Sequence, residues 1–424
     1  MKKHAFWFGR IVFEFAGLLA LICGLAVLPV QSRADPDEAL TRSLAEFTPE
    51  TISPEGNPLS FTFLSGGRLL VIHDQLTIVD LKTMKAAAEA AMPDSISEKL
   101  SEEYALFDRV HPLNSGFAWL VNMTPRAGDE ARPIFFYFQY DNELKLVQET
   151  NLSEALPSDF GFGPGSIAPD ADGSKVYYVA YSPEDKGEKL LAGGSPLSPE
   201  TDRLIYLTDR SPDSEFHVIS DLRLLNGGKR LCFVGGKLDI TGEVGDTIYA
   251  YGSMSTDGSD LTILDPTTLQ DPYEFYQVGA GEQNVPQSSP IMLLTPNDPK
   301  PTWFDDPENY VFTPPPVKSF YAWNVETGDI TEIPLRISME DHKAALSENG
   351  KYLATAAADD PMTEVTSLTV RLYDTSNGEL LMEKNYSGLT AGFVPEISVS
   401  ESDKLIRAVL LDKLAYSYVE IPIE

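Results

Sequence analysis

The chain has 424 residues, with 32 Lys and Arg against 64 Asp and Glu, a formal charge of −32. Hydrophobic residues at 42% and aromatics at 10% suit a globular core and exclude a disordered chain, and a mean hydropathy just below zero excludes a protein of many membrane spans. Such acidity repels nucleic acid and anionic lipid; it serves solubility or a salty habitat, with a basic protein partner or a small cationic ligand as the sharper alternative.

Residues 1–34 read as an export signal. Lys2, Lys3 and Arg10 form a basic leader, Phe15 to Val30 an apolar stretch, and Ser32-Arg33-Ala34 offers small residues for cleavage before Asp35. The stretch is short for a membrane span, and an uncleaved N-terminal anchor is the alternative. Removing the signal's four basic residues and one acid leaves 28 Lys and Arg against 63 Asp and Glu, a charge of −35. It also leaves Cys232 as the only cysteine, so stability must come from burial and strand pairing rather than disulfides. A bacterial periplasm or the exterior is the expected location.

From residue 60 onward one phrase recurs: a turn of small residues, a β-rich run, a loop, and a second β-rich run ending in Asp or Asn before another turn. The first-run turns are Gly66-Gly67-Arg68, Ser115-Gly116, Asp172-Gly173-Ser174-Lys175, Gly227-Gly228-Lys229, Gly350-Lys351 and Asp403-Lys404. Pro290 to Leu294 opens a further copy without glycine, which makes seven. Leu368, Val370 and Leu372 alternate with Thr369, Arg371 and Tyr373, the period of a strand. Val176 to Tyr181 and Leu231 to Val234 are apolar at every position, as befits strands sandwiched between two neighbours. A repeat of this length and content builds one four-stranded blade of a β-propeller. Ring closure is expected from Leu59-Ser60-Phe61-Thr62-Phe63, completing the last blade. Ile96, Leu100, Tyr104 and Phe107 have helical spacing and predict a short amphipathic helix over 95–107, between blades one and two.

Antiparallel strands, lettered a to d from the hub outward, send their connections to alternate faces. The short turns (a to b, c to d) then share one face and the b-to-c loops the other. Five b-to-c loops read as long: 122–132, 182–202, 235–246, 295–318 and 358–367. The 295–318 loop holds seven of the 31 prolines, with Trp303, Phe304, Asp305, Asp306, Tyr310 and Phe312. Aromatics beside carboxylates can grip a cation or a partner, or simply cover the ring. His73, in the short b-to-c loop of blade one, and the paired acids Asp359 and Asp360 are further candidates on that face.

His342, Ser347-Glu348-Asn349-Gly350, Leu353-Ala354-Thr355-Ala356, Asp359 or Asp360, and Tyr373-Asp374 with Gly378 resemble a WD40-type repeat. Asp172-Gly173-Ser174-Lys175-Val176-Tyr177-Tyr178 looks like the YVTN class of bacterial propellers. The strong match covers about one blade and speaks for fold, not activity. At the level of fold alone the chain is also similar to the large subunits of quinoprotein amine dehydrogenases, whose cofactor sits in a small partner subunit, and to lactonase-type propellers.

No cysteine and histidine cluster has zinc spacing, Asp170 to Ser174 lacks the later acid of a calcium loop, and there is no nucleophile elbow or phosphate-binding loop. Cys232, between Leu231 and Phe233, reads as a buried inert thiol. The sequence therefore predicts an all-β fold, a seven-bladed propeller of four-stranded antiparallel blades over 52–424, behind a signal (1–34) and an extension (35–51). The expected function is that of an exported, non-catalytic module binding a protein or ligand on its long-loop face, without cofactor or metal. The alternative is an enzyme of the amine dehydrogenase or lactonase kind; no catalytic residue is assigned.

Overall fold

The computed structural model describes residues 40–48, 60–99, 104–125, 133–155, 167–182, 187–194, 197–198, 200–208, 216–238, 247–264, 276–277, 283–296, 319–334, 343–358, 368–386, 393–412 and 415–423. Its strands form seven antiparallel sheets in chain order. Blade one is Ser60–Leu64, Arg68–Ile72, Gln75–Asp80 and Lys85–Ala91; blade two is Tyr104–Leu113, Gly116–Pro125, Ile134–Asp141 and Leu146–Asn151. Blade three is Ile167–Pro169, Val176–Ser182, Gly187–Gly193 and Arg203–Leu207; blade four is Val218–Leu225, Arg230–Leu238, Thr247–Ser255 and Thr262–Leu264. Blade five is Tyr276–Gln277, Ile291–Pro296, Ser319–Asn324 and Ile330–Pro334. Blade six is Lys343–Leu346, Tyr352–Ala358, Leu368–Asp374 and Leu380–Tyr386, with Gln283–Asn284 added in parallel to its inner strand. Blade seven is Phe393–Ser400, Leu405–Asp412 and Ala415–Pro422, with Leu40–Ser43 as its outer strand. The protein is a seven-bladed β-propeller.

Each blade has two apolar faces because each faces two neighbours. In blade three, Val176, Tyr178 and Ala180 pack with Leu120 and Tyr137 of blade two, while Tyr177 and Val179 pack with Leu231 and Phe233 of blade four. In blade four, Cys232 and Val234 turn the other way, onto Met292 and Trp323 of blade five. The same sharing runs from blade five to six, six to seven and one to two. The seventh cluster joins Phe61, Phe63, Leu69 and Val71 of blade one to Val409, Tyr416 and Tyr418 of blade seven, and so closes the ring.

Closure differs from the expectation. Ser60–Leu64 is the inner strand of blade one, and the closing strand is Leu40–Ser43, paired from Leu40 opposite Glu420 to Ser43 opposite Ser417. The segment expected to precede the ring is its last strand. Its period-two pattern is weak: Leu40, Thr41 and Ser43 are exposed, and the apolar anchor is Leu44, one residue further on and fully buried. The Arg42 guanidinium donates to Leu81 O of blade one, tying the two ends together.

The expected helix is also much shorter. Among the described residues of this stretch only Asp94–Ser97 is helical, and a ten-residue strand begins at Tyr104. The apolar spacing that suggested a longer helix belongs partly to that strand, whose Leu106 is buried between blades one and two.

The turns explain the repeated sequence phrase. Where a c strand ends in Asp or Asn, that side chain caps the turn: Asp80 Oδ1 accepts from Thr83 N at 2.7 Å, Asp141 Oδ1 from Glu143 N at 2.9 Å, and Asp374 Oδ1 from Ser376 N at 2.8 Å. Gly350 has φ +74, and a Cβ there would lie 2.5 Å from Ser289 Oγ of the next blade, so the turn needs glycine twice over. The turn face also belts blades together, through Asn114 N to Ala171 O at 2.7 Å, Asn226 N to Ser289 O at 2.7 Å and Asn349 Nδ2 to Glu401 Oε2 at 2.7 Å.

Leu44→Ala should cost about 2–5 kcal/mol of unfolding free energy, the usual range for a buried leucine. Removing residues 1–44 should cost more than removing 1–39. Urea unfolding of the three forms checks both; equal midpoints for the two truncations would contradict the closure described.

Candidate functional site

The inner strand of blade two pairs without interruption from Tyr104 opposite Pro125 to Leu113 opposite Gly116. Leu106 and Val110 face blade one. Asp108 lies on that side too, where its Oδ2 accepts from Trp119 Nε1 at 2.8 Å. Burial raises the Asp108 pKa, and the hydrogen bonds from Trp119 and Ser60 offset only part of that. By alternation, Arg109 and His111 point the other way.

The inner strand of blade four supplies their counterpart. Its register breaks between Ser220 and Arg223, and Asp221 sits at φ +48, a bulge with a non-glycine residue in the left-handed region. Blade three steadies the approach to the bulge: Glu188 Oε2 accepts from Ile219 N at 2.6 Å. Asp221 Oδ1 lies 4.0 Å from Arg109 Nη1, with the side chains 7% and 10% exposed. Blades two and four thus meet beside the axis.

Four ionisable groups therefore share the hub: Arg109, His111, Asp221 and Arg223. Burial lowers the Arg109 pKa and raises that of Asp221, and their mutual attraction offsets only part of each shift. Arg223 is pushed down to about 9, by burial first and then by Arg109, against the pull of Asp221 and Cys232. His111 is held well below its ordinary value by burial, then by Arg109 and Arg223. At neutral pH this imidazole is uncharged, and both guanidinium groups act against its protonation. Arg109 Nη1 and His111 Nε2 are closed off from solvent and make no hydrogen bond among the described residues. Two buried polar atoms on one side of one strand are thus free to meet an acceptor.

Of the candidates for the long-loop face, His73 alone falls among the described residues. It occupies the two-residue b-to-c turn of blade one, where its Nδ1 lies 3.1 Å from Asp74 Oδ2 and its N–H donates to Gln75 O at 3.0 Å. Trp303, Phe304, Asp305, Asp306, Tyr310, Phe312, Asp359 and Asp360 lie outside the described residues, as does His342. Asp170 and Asp172 cap their own turn, accepting from Lys175 N at 3.1 Å and Ser174 N at 2.8 Å. Cys232 is buried, its pKa raised to about 12 by burial.

The connections match the expected arrangement in four of the five long cases. Residues 126–133, 239–246, 297–318 and 359–367 link b to c strands whose joined ends share a face. Blade three departs from it. Its b and c strands join through 183–186, with Ser182 opposite Gly187, and Arg203–Leu207 is the d strand rather than the c strand. Its longer connection, 194–202, lies on the opposite face. Gly187, Lys189 and Gly193 break the β-rich run, so the strand Gly187–Gly193 carries little signal in the sequence.

No protein-family model matches the chain, and no curated protein matches it in sequence. Among solved structures it is similar to a chain of the mitotic checkpoint complex at 11% identity and TM-score 0.46, covering 96% of this chain and 98% of that one. It is similar to TolB from Acinetobacter baumannii at 13% identity and TM-score 0.34, with 85% and 78% covered. Prolyl oligopeptidase B from Galerina marginata gives 12% identity and TM-score 0.43, with 84% of this chain and 47% of that one covered. At these values the fold rests on the sheets and clusters of this chain, and function on its own residues.

Because the folded state keeps His111 neutral, its contribution to stability is complete above the unfolded imidazole value near 6.5 and is lost as pH falls below it. Unfolding free energy should fall by up to about 1.4 kcal/mol per pH unit between about pH 6.5 and the lowered folded value, and His111→Asn should flatten that slope. Urea titrations across this range provide the check. A thiol reagent should leave native Cys232 unmodified and label it after unfolding; rapid native labelling would contradict its burial.

Proposed function

We propose that this chain is an exported, non-catalytic binding module that holds a partner protein against the face carrying its long b-to-c connections. The observation behind the reading is topological: four connections of eight residues or more join strand ends that share one face of a ring whose blades are fixed by burial on both sides. Long connections on a rigid scaffold are where recognition surfaces usually sit. The most extended, 297–318, carries Trp303, Phe304, Tyr310 and Phe312 beside Asp305 and Asp306. Aromatic anchors with carboxylates at the rim suit a partner with a basic surface, consistent with the charge of −32. Export rests on the basic, apolar and small-residue order of residues 1–34.

A second reading, a propeller enzyme of the amine dehydrogenase or lactonase kind, draws on the charged hub. Turnover of amines or lactones by the purified protein, abolished by Arg109→Gln, would favour it.

Deleting residues 299–315 should weaken capture of the partner about tenfold or more, equivalent to about 1.4 kcal/mol. The urea midpoint should stay unchanged, because the strands on either side remain. A companion substitution, Lys82→Ala at an exposed position in the c-to-d turn of blade one on the opposite face, should leave capture intact. Equal recovery with all three forms would overturn the reading.

A further inference from the structure

The hub poses a problem that partner binding on the loop face does not solve. Polar atoms sealed from water are almost always hydrogen-bonded, and each exception asks for a reason. Here two exceptions, Arg109 Nη1 and His111 Nε2, stand two residues apart on the same side of one strand. Arg109 is 4.0 Å from Asp221, too far for a hydrogen bond, and Arg223 acts electrostatically on both Arg109 and His111. The bulge that brings Asp221 there holds a non-glycine residue at φ +48, a local cost that the fold accepts at this spot.

The chemistry of the two donors selects a ligand. Two donors carried two residues apart on one side of a strand, one of them a planar guanidinium, suit an acceptor with two oxygens. Asp221 already neutralises part of the positive charge, so a single negative charge fits better than two. Both donor atoms lie out of reach of solvent, so the occupant must be small. We propose that Arg109 and His111 bind the carboxylate of a small aliphatic acid at the hub, with Asp221 of blade four beside the Arg109 guanidinium and Arg223 adding positive charge for the acid. Arg109 donates from Nη1 to one carboxylate oxygen, and His111, with its proton on Nε2, donates to the other. This inference is independent of the loop-face reading and concerns the opposite sign of ligand charge.

The test uses the purified full chain in thermal unfolding, with sodium acetate or propionate against sodium chloride and sodium phosphate at matched ionic strength. A ligand that binds only the folded state raises the midpoint with its concentration. Acetate and propionate should raise it above chloride, phosphate should not, and Arg109→Gln and His111→Asn should each weaken the binding about tenfold or more. A rise equal to that with chloride would mean that water alone occupies the site and would overturn the proposal. So would an equal rise with phosphate, or a rise that survives both substitutions. Should Arg109→Gln fail to fold, the imidazole NMR signals of His111 in the unaltered protein, assigned by their loss in His111→Asn, should move on adding acetate. Their failure to move overturns the proposal by itself.

Discussion

The constraint on which this molecule depends is that no blade can bury its own faces. A four-stranded sheet with apolar residues on both sides is stable only between two others, and a ring is the arrangement in which every sheet has two. The largest buried side chains sit at these seams. Trp119 and Phe138 lie between blades one and two, Tyr178 between two and three, Phe216 and Phe233 between three and four, Trp323 between four and five, and Tyr418 between seven and one. Burying an aromatic side chain stabilises by roughly 1.5–3 kcal/mol, so the seams outweigh anything the surface charges contribute. Without disulfides among the described residues, the seams and the strand ladders carry the fold.

That constraint also sets where chemistry can occur. Side chains near the outer strands face water, and side chains in the middle of a blade face a neighbour's core. Only the inner strands approach the axis, where neighbouring cores no longer cover them. Arg109, His111, Asp221 and Arg223 stand there, and all four have shifted pKa values because burial disfavours charge while the group itself supplies the compensation. The bulge in blade four is the device that brings a carboxylate to the Arg109 guanidinium.

How much of this was legible in the sequence follows from the physics of each signal. Turn chemistry and a period of two are local, so the repeat, the seven blades and the double-faced strands at Val176 and Leu231 could be read directly. Closure by Leu40–Ser43 could not, because an outer strand needs few apolar residues and its partner lies at the far end of the chain. Blade three was misread where glycines interrupt its third strand, which moved its long connection to the wrong face. The hub cluster was missed because Arg109 and Asp221 are 112 positions apart. A signal did exist: Asp108-Arg109-Val110-His111 and Asp221-Leu222-Arg223 place charges inside strands whose position in the blade calls for apolar residues.

Native-state hydrogen exchange tests most directly whether the blades stand or fall together. If each seam is shared, the slowest amides of Arg68–Ile72 in blade one, Leu231 to Val234 in blade four and Leu405–Asp412 in blade seven should exchange with one common opening free energy, equal to that of global unfolding. The Ala415–Pro422 amides that pair with Leu40–Ser43 should share it. Blades that open one by one with different free energies, or free exchange along the pairing of Leu40–Ser43 with Ala415–Pro422, would contradict a closed ring held by mutual burial.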